Sequence, residues 1–197
     1  MQSSLASYKA MRYSRPLVAI NIREGDELIE IFLTDGQQDL IFATHLGYVL
    51  WYPESEVGIV GPRAAGVKAI SLKEGDFVVG ADHTSTDRSP SEQAICVVTQ
   101  RGAIKKMRLA EFERATRAKR GLITLRELKN NPHRLIGMKI VDDPDELIIR
   151  TENGKEEIIS VSTLRYNDRY SNGSFVIDEK TDGKANLLYK KTSSKDD

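Results

Sequence analysis

Residues 99–122 read TQRGAIKKMRLAEFERATRAKRGL, and this stretch carries both the fold signal and the charge signal of the 197-residue chain. The glycine at position 102 separates two short apolar runs, which predicts two strands joined by a tight turn. Eight basic residues accompany two acidic ones in this stretch, whereas the formal net charge of the whole chain is zero. Positive charge is therefore concentrated in one part of the sequence.

The same order of apolar run, turn glycine, second apolar run and closing glycine occurs three times. The copies begin DLIFATHLGYVLW at residue 39, QAICVVTQRGAIKKM at residue 93 and ELIIRTENGKEEIIS at residue 146. In each copy the two glycines are 19 residues apart, and successive turn glycines are 55 and 52 residues apart. The structural glycines are Gly47, Gly66, Gly102, Gly121, Gly154 and Gly173. Three equal intervals indicate a tandem repeat of about 50 residues.

Each repeat predicts four strands around its glycine turn and one short helical turn. The first strands, at residues 40–43, 95–98 and 147–149, are continuous apolar runs, which suits strands buried on both faces. Four-stranded units of this length, arranged around an axis, are typical of propeller-like discs. We therefore expect an all-β, propeller-like β domain over residues 16–190. Its repeats are predicted at about residues 39–82, 93–141 and 146–189.

The segment before the first full repeat predicts part of a fourth one. PLVAINIREGDELIEIF at residues 16–32 is similar to GVKAISLKEGDFVVGAD at residues 66–82. Two strands flanking a turn are expected there, with an open edge at residues 17–32. We expect residues 1–15 to be a remnant of a preceding blade or loop, and residues 191–197 to be a disordered tail. The disc is thus expected to be incomplete in this chain.

The sequence offers no catalytic or metal-binding motif. The three histidines fall at unrelated repeat positions and are expected in solvated loops, and no zinc spacing, phosphate-binding loop or nucleophile elbow is present. The acidic cluster at residues 142–145 indicates a turn rather than a cation site. Cys96 lies in an apolar run and is expected to be a buried small hydrophobe. No stretch of about 18 apolar residues and no secretory signal occurs, so a cytoplasmic protein is expected.

The basic residues predict a duplex nucleic-acid surface, because duplex binding requires spaced cations that neutralise phosphates rather than a catalytic pocket. Loops repeated on one rim provide such a spacing. The predicted contacts are Arg63, Lys68, Arg101, Lys105, Lys106, Arg108, Arg114, Arg117, Lys119, Arg120, Arg126, Lys129, Arg165 and Arg169. Within residues 99–122, Lys105, Lys106, Arg117, Lys119 and Arg120 are expected to face DNA, while Ile104, Met107 and Phe112 hold the blade.

Other interpretations of the same residues stay open. Any single lysine or arginine can simply solvate a β surface. The basic cluster also suits a protein-interaction propeller with an acidic partner. An enzymatic propeller requires convergent acid and base residues near the axis, and no repeat position supplies them. Single-stranded binding is disfavoured because Phe112 is the only aromatic residue in the basic stretch and aligns with apolar core positions.

Several segments in order carry a family resemblance: GPRAAGVKAISLKEGD, TQRGAIKKM, RAKRGL and YSNGSF. Over about residues 12–190 the chain resembles the C-terminal domain of the DNA-cleaving polypeptide of bacterial type IIA topoisomerases. Within that family it is more similar to the topoisomerase IV branch than to the gyrase branch, whose glutamine-arginine-glycine box is absent here. The resemblance implies a β-pinwheel, in which blades exchange strands and a positive rim binds and bends duplex DNA without sequence specificity.

The resemblance also sets expectations for partners and cofactors. The catalytic tyrosine, ATP and Mg²⁺ of such enzymes belong to other domains, so no catalytic residue, metal, cofactor or small-molecule ligand is expected in this chain. The expected partners are duplex DNA and, in the parent protein, a second copy of the same polypeptide together with two ATP-binding subunits. Peripheral contact with the membrane is left open. The implied role is presenting a DNA segment for strand passage during chromosome segregation in the nucleoid, and a gyrase-type wrapping domain is the alternative.

Overall fold

The structure is a computed structural model that describes residues 1–9 and 16–191. The predictions for residues 10–15 and 192–197 lie outside the described residues. The strands are β1 (Gln38–Thr44), β2 (Tyr48–Pro53), β3 (Val78–Ser85), β4 (Ala94–Thr99), β5 (Ala103–Arg108), β6 (Leu122–Ile123), β7 (Leu135–Val141), β8 (Glu146–Thr151), β9 (Glu156–Ser160), β10 (Ser174–Phe175) and β11 (Ala185–Lys190). The helical segments are α1 (Ala6–Lys9), α2 (Glu179–Asp182) and three 3₁₀ helices at Glu54–Glu56, Leu109–Glu111 and Val161–Thr163.

The strands form three antiparallel sheets, and each sheet is one blade. The first blade has the order β3-β1-β2-β6, the second β7-β4-β5-β10, and the third β11-β8-β9. The three predicted first strands lie within β1, β4 and β8. The all-β, propeller-like prediction is therefore confirmed.

Two short strands belong to a different blade from the repeat that contains them. Strand β6 follows Gly121 of the second repeat, yet it pairs with β2 of the first blade, with Leu122 opposite Val49. Strand β10 of the third repeat pairs in the same way with β5 of the second blade, with Ser174 opposite Ile104. The repeats read from the sequence are therefore offset from the blades, and neighbouring blades are linked by the strand exchange of a β-pinwheel.

Strand β4 is buried along its whole length because the second blade lies between the other two. Its side chains alternate, as the pleat requires. Ile95 and Val97 pack in a cluster with Trp51 of the first blade. Cys96 and Val98 pack in a cluster with residues of the third blade. Burial raises the pKa of the Cys96 thiol to about 12, which fits the predicted small hydrophobe.

The strands β3, β7 and β11 pack side by side, one from each blade. Their close approach requires small residues. A Cβ atom added at Gly137 of β7 would lie 2.9 Å from the Cβ atom of Leu188 of β11. The opposite ends of the blades carry the closing loops, which are the segments that end at the closing glycines.

The expected strands within residues 17–32 are wrong. The turn is present, with the N–H of Asp26 donating to the carbonyl of Arg23 at 3.1 Å, but no strand flanks it. A strand requires a neighbour that satisfies its backbone groups. In the repeat pattern both neighbours of this segment would precede it, and only 15 residues of the chain do so. Segment 17–32 therefore forms no sheet edge, and its apolar side chains, such as Ile31 at 75% exposure, stay outside the core.

Candidate nucleic-acid interface

The closing loops of successive repeats lie next to one another. The loop of the second repeat contacts the segment after Gly66: the N–H of Ser71 donates to the carbonyl of Lys119 at 2.8 Å. The loop of the third repeat contacts the segment after Gly121, where the N–H of Arg126 donates to the side-chain oxygen of Asn172 at 2.9 Å. Residues 62–71, 114–126 and 165–173 thus form one continuous surface, which we call the belt.

The belt is strongly positive. Its three segments contain nine basic residues and one acidic residue, Asp168. Six of the basic residues are solvent-exposed: Arg63, Lys68, Lys119, Arg120, Arg126 and Arg165. Arg108 and Lys129 are exposed outside the belt. Within residues 1–9 and 16–191, none of these eight forms an ion pair. Their charges are available to an anionic partner.

Two further predicted contacts, Arg101 and Arg114, already bind acidic residues of the protein. Arg101 is half-buried, lies 3.5 Å from the carboxylate of Glu179, and donates to the carbonyl of Asn131 at 2.9 Å. Arg114 donates to the buried carboxylate of Asp39, which also accepts the indole N–H of Trp51. These two guanidinium groups hold the blades together and are less available to a phosphate.

Arg117 and Arg169 are half-buried and donate to the protein backbone. The guanidinium of Arg117 donates to the carbonyl of Lys68 at 2.6 Å, and that of Arg169 to the carbonyl of Ile123 at 2.5 Å. Each arginine thereby joins its own closing loop to the segment that follows the preceding closing glycine.

Lys105 is a predicted DNA contact that the structure buries, with 2% of its surface exposed. Its ammonium donates to three backbone carbonyls, those of Thr124, Arg169 (2.7 Å) and Ser171 (2.9 Å). Burial lowers the pKa of Lys105 to about 7, because the charged form loses its hydration. The expectation that Lys105 faces outward is therefore wrong: it ties β5 to the closing loop of the third repeat.

Lys106 is 3% exposed and is also turned inward. Its ammonium pairs with Asp143 at 2.7 Å, donates to the carbonyl of Val161 at 3.2 Å, and lies 4.7 Å from the ring centre of Tyr166. The outward orientation expected for Lys106 is wrong for the same physical reason. The middle blade is covered on both faces, so side chains of β5 meet the third repeat instead of solvent.

The core assignments in residues 99–122 agree with the structure. Ile104, Met107 and Phe112 are 1%, 0% and 4% exposed. The six structural glycines all have positive φ, the backbone conformation that these turns use.

Two acidic residues of the interface were missed by the sequence reasoning. The carboxylates of Glu56 and Glu111 accept the backbone N–H groups of Arg117 and Arg169. The available signal was their spacing: the two glutamates are 55 residues apart, as are the turn glycines Gly47 and Gly102. Counting charge alone treated Glu111 only as a reduction of the positive charge.

The histidines do not lie in solvated loops, and that expectation is wrong. His133 is 3% exposed and bonds the hydroxyl of Thr99 at 3.0 Å, and burial lowers its pKa. His83 lies in β3 and packs on Phe32.

The acidic cluster at residues 142–145 is occupied by cations of the protein. Asp142 pairs with Arg88 at 2.7 Å, and Asp145 pairs with Lys190 at 2.8 Å. The hydrogen bond from Arg88 lowers the pKa of Asp142. In the described part of the chain no group of His, Cys, Asp or Glu has a metal-site arrangement. Nor does any helix there have the length and apolarity needed to cross a membrane.

A family model supports the architecture. The model of the DNA gyrase C-terminal domain, a β-propeller, matches residues 2–35, 38–85 and 93–142. Similar curated proteins include the first subunit of DNA topoisomerase 4 from Bacillus subtilis, 48% identical over 189 residues, and its counterpart from Staphylococcus epidermidis, 35% identical over 177 residues. The alignments cover 96% and 90% of this chain but 23% and 22% of those proteins. The chain thus spans less than a quarter of the length of the curated relatives it matches.

Solved structures give the same result. A crystal structure of the C-terminal domain of DNA topoisomerase IV is 50% identical, with a TM-score of 0.87 over 93% of this chain and 56% of that one. A DNA gyrase A C-terminal domain has a TM-score of 0.73 over 88% of this chain and 57% of that one. Its identity is 16%, so this second match supports the fold alone.

Proposed function

The chain belongs to the β-propeller family of DNA gyrase C-terminal domains, and from that premise we propose that it binds and bends duplex DNA along its belt. The observation that carries the proposal is the belt itself. Six exposed cations without ion pairs among the described residues lie on three adjoining loops. A row of separate cations on a rigid sheet scaffold suits a polyanion whose phosphates are regularly spaced.

The proposed binding is independent of base sequence. The exposed cations lie on loops that end at glycines, and within the described residues no helix is long enough to enter a major groove. Bending a short duplex costs on the order of 1–6 kcal/mol, which several phosphate contacts along one surface can offset. The proposed specificity is therefore for the charge and shape of the duplex.

In the whole protein, the proposed role of this domain is to present a DNA segment for strand passage. The names of the curated relatives support this, since they are subunits of DNA topoisomerase 4. The proposal assigns ATP-dependent catalysis, Mg²⁺ and the contacts with an ATP-binding subunit to the remainder of the protein. It places the protein with the nucleoid in the cytoplasm and connects it with relaxation and decatenation of DNA.

The test is a comparison of two charge-matched double variants in duplex binding. Lys119→Ala with Arg120→Ala removes two exposed belt cations, whereas Lys180→Ala with Lys184→Ala removes two exposed cations outside the belt. We expect the belt variant to lose about tenfold or more in affinity at moderate salt, because two phosphate contacts are lost. The control variant should stay within about twofold of the unmodified chain. Equal losses in both variants contradict the proposal.

A further inference from the structure

Two equivalent clasps hold the closing loops on the preceding blades. The carboxylate of Glu56 accepts the backbone N–H of Arg117 at 2.5 Å, and the carboxylate of Glu111 accepts the backbone N–H of Arg169 at 2.6 Å. Both glutamates end a 3₁₀ helix that follows the second strand of a blade. Both arginines precede a closing glycine by four residues. The same contact therefore forms twice from repeat-related residues.

The arginine of each clasp extends the connection to the neighbouring loop. Arg117 donates to the carbonyl of Lys68, and Arg169 donates to the carbonyl of Ile123. These acceptors lie two residues after Gly66 and Gly121. Each clasp thus joins one 3₁₀ helix and two successive closing loops, and it sets the distance between the exposed cations of those loops.

An acidic residue beneath a phosphate-binding surface weakens the attraction for DNA unless it has a structural task. We propose that Glu56 and Glu111 are positioning residues for DNA binding: their carboxylates hold the cationic loops at the spacing that lets one duplex contact successive blades. This inference rests on the proposed function. Neither glutamate contacts DNA in this proposal, and each acts through the loop that it holds.

Glu113 provides a matched control for Glu111. It lies two residues further along the chain, is exposed, and has no side-chain hydrogen bond within the described residues. Replacing either residue by alanine removes one negative charge from the same loop. Simple electrostatics predicts equal or tighter duplex binding for both variants. Positioning predicts that only Glu111→Ala weakens binding.

The experiment measures duplex affinity as a function of salt for Glu111→Ala, Glu111→Gln and Glu113→Ala in the 197-residue chain. We expect the slope of log affinity against log salt to become shallower by about 1–2 in Glu111→Ala, since about that many phosphate contacts are lost. Glu111→Gln, which keeps an acceptor oxygen, should retain the slope of the unmodified chain, as should Glu113→Ala. Hydrogen exchange at the Arg169 amide should accelerate about tenfold in Glu111→Ala only.

Glu56→Ala repeats the comparison at the other clasp, so the result does not depend on the folding of one variant. A slope and an Arg169 exchange rate that are the same in Glu111→Ala and Glu113→Ala overturn the positioning role. Absence of duplex binding by the unmodified chain overturns the proposed function itself, and the exchange measurement still tests the clasp.

Discussion

The buried ammonium of Lys105 donates a hydrogen bond to the carbonyl of Arg169 at 2.7 Å, across the boundary between the second and third repeats. It also donates to the carbonyls of Thr124 and Ser171, so one side chain of the second blade joins β5 to two loops. At the equivalent position of the first repeat the residue is Leu50, which is also buried. A lysine has replaced an apolar core residue, and three carbonyls compensate its charge.

Replacing Lys105 by methionine should lower the free energy of unfolding by about 1–3 kcal/mol. The apolar stem is retained, but three buried carbonyls lose their donor. The measurement is urea unfolding followed by circular dichroism. Lys119→Met, at an exposed belt position, should change stability by about 0.5 kcal/mol or less. Equal stability of the two variants would show that the ammonium contributes nothing to the junction.

The stability of the chain should rise with pH above neutrality because of the same residue. Burial lowers the pKa of Lys105 to about 7 in the folded chain, from a usual value of 10.5. Below pH 7 the amine is charged in both states. Above it, the folded chain has released a proton that the unfolded chain keeps, so the free energy of unfolding increases by at most about 1.4 kcal/mol per pH unit. Lys105→Met should lack this increase between about pH 7.5 and 9.5, and an unchanged profile in the variant argues against the assignment.

Asp39→Ala should destabilise the first blade by about 2–4 kcal/mol, since it leaves the buried indole N–H of Trp51 without an acceptor and the guanidinium of Arg114 without its carboxylate. Trp51 is the only tryptophan of the chain, so its fluorescence reports this site directly. We expect a shift of its emission together with an earlier unfolding midpoint. Asp87→Ala, at an exposed acidic residue, is the control and should leave both unchanged.

Gly121 and Gly154 form a pair that separates steric cost from backbone cost. Their φ angles are 82° and 81°, but an added Cβ atom would overlap the carbonyl oxygen of Val49 at Gly121 and would meet nothing within 4 Å at Gly154. Gly154→Ala should cost about 1–2 kcal/mol, which is the cost of a left-handed backbone. Gly121→Ala should cost clearly more, because β6 can no longer approach β2. Equal losses in thermal unfolding would mean that the strand exchange is dispensable.

The sequence predicts the blades because glycine spacing and apolar runs repeat along the chain. It does not show the strand exchange, since the repeat ends with its fourth strand while each sheet recruits β6 or β10 from the next repeat. Segment 17–32 has a strand-like pattern but lacks neighbours, and pattern alone cannot supply them.

The interface was only partly predictable for a related reason. Counting charge treats every lysine as solvated, so Lys105 and Lys106 were expected on the surface. Whether a strand residue of the middle blade meets solvent depends on the loop of the following repeat. Comparison of Lys105 with Leu50 across the repeat is the one signal in the sequence that indicates burial.

The salt dependence of duplex DNA binding tests the central claim most directly. The measurement is the affinity of the 197-residue chain for a duplex of mixed sequence, over a range of monovalent salt. If the six exposed belt cations each neutralise one phosphate, log affinity should fall with log salt with a slope of about −5. A second duplex of unrelated sequence should give the same slope and affinity. A slope near zero, or no binding at about 50 mM salt, would contradict the account.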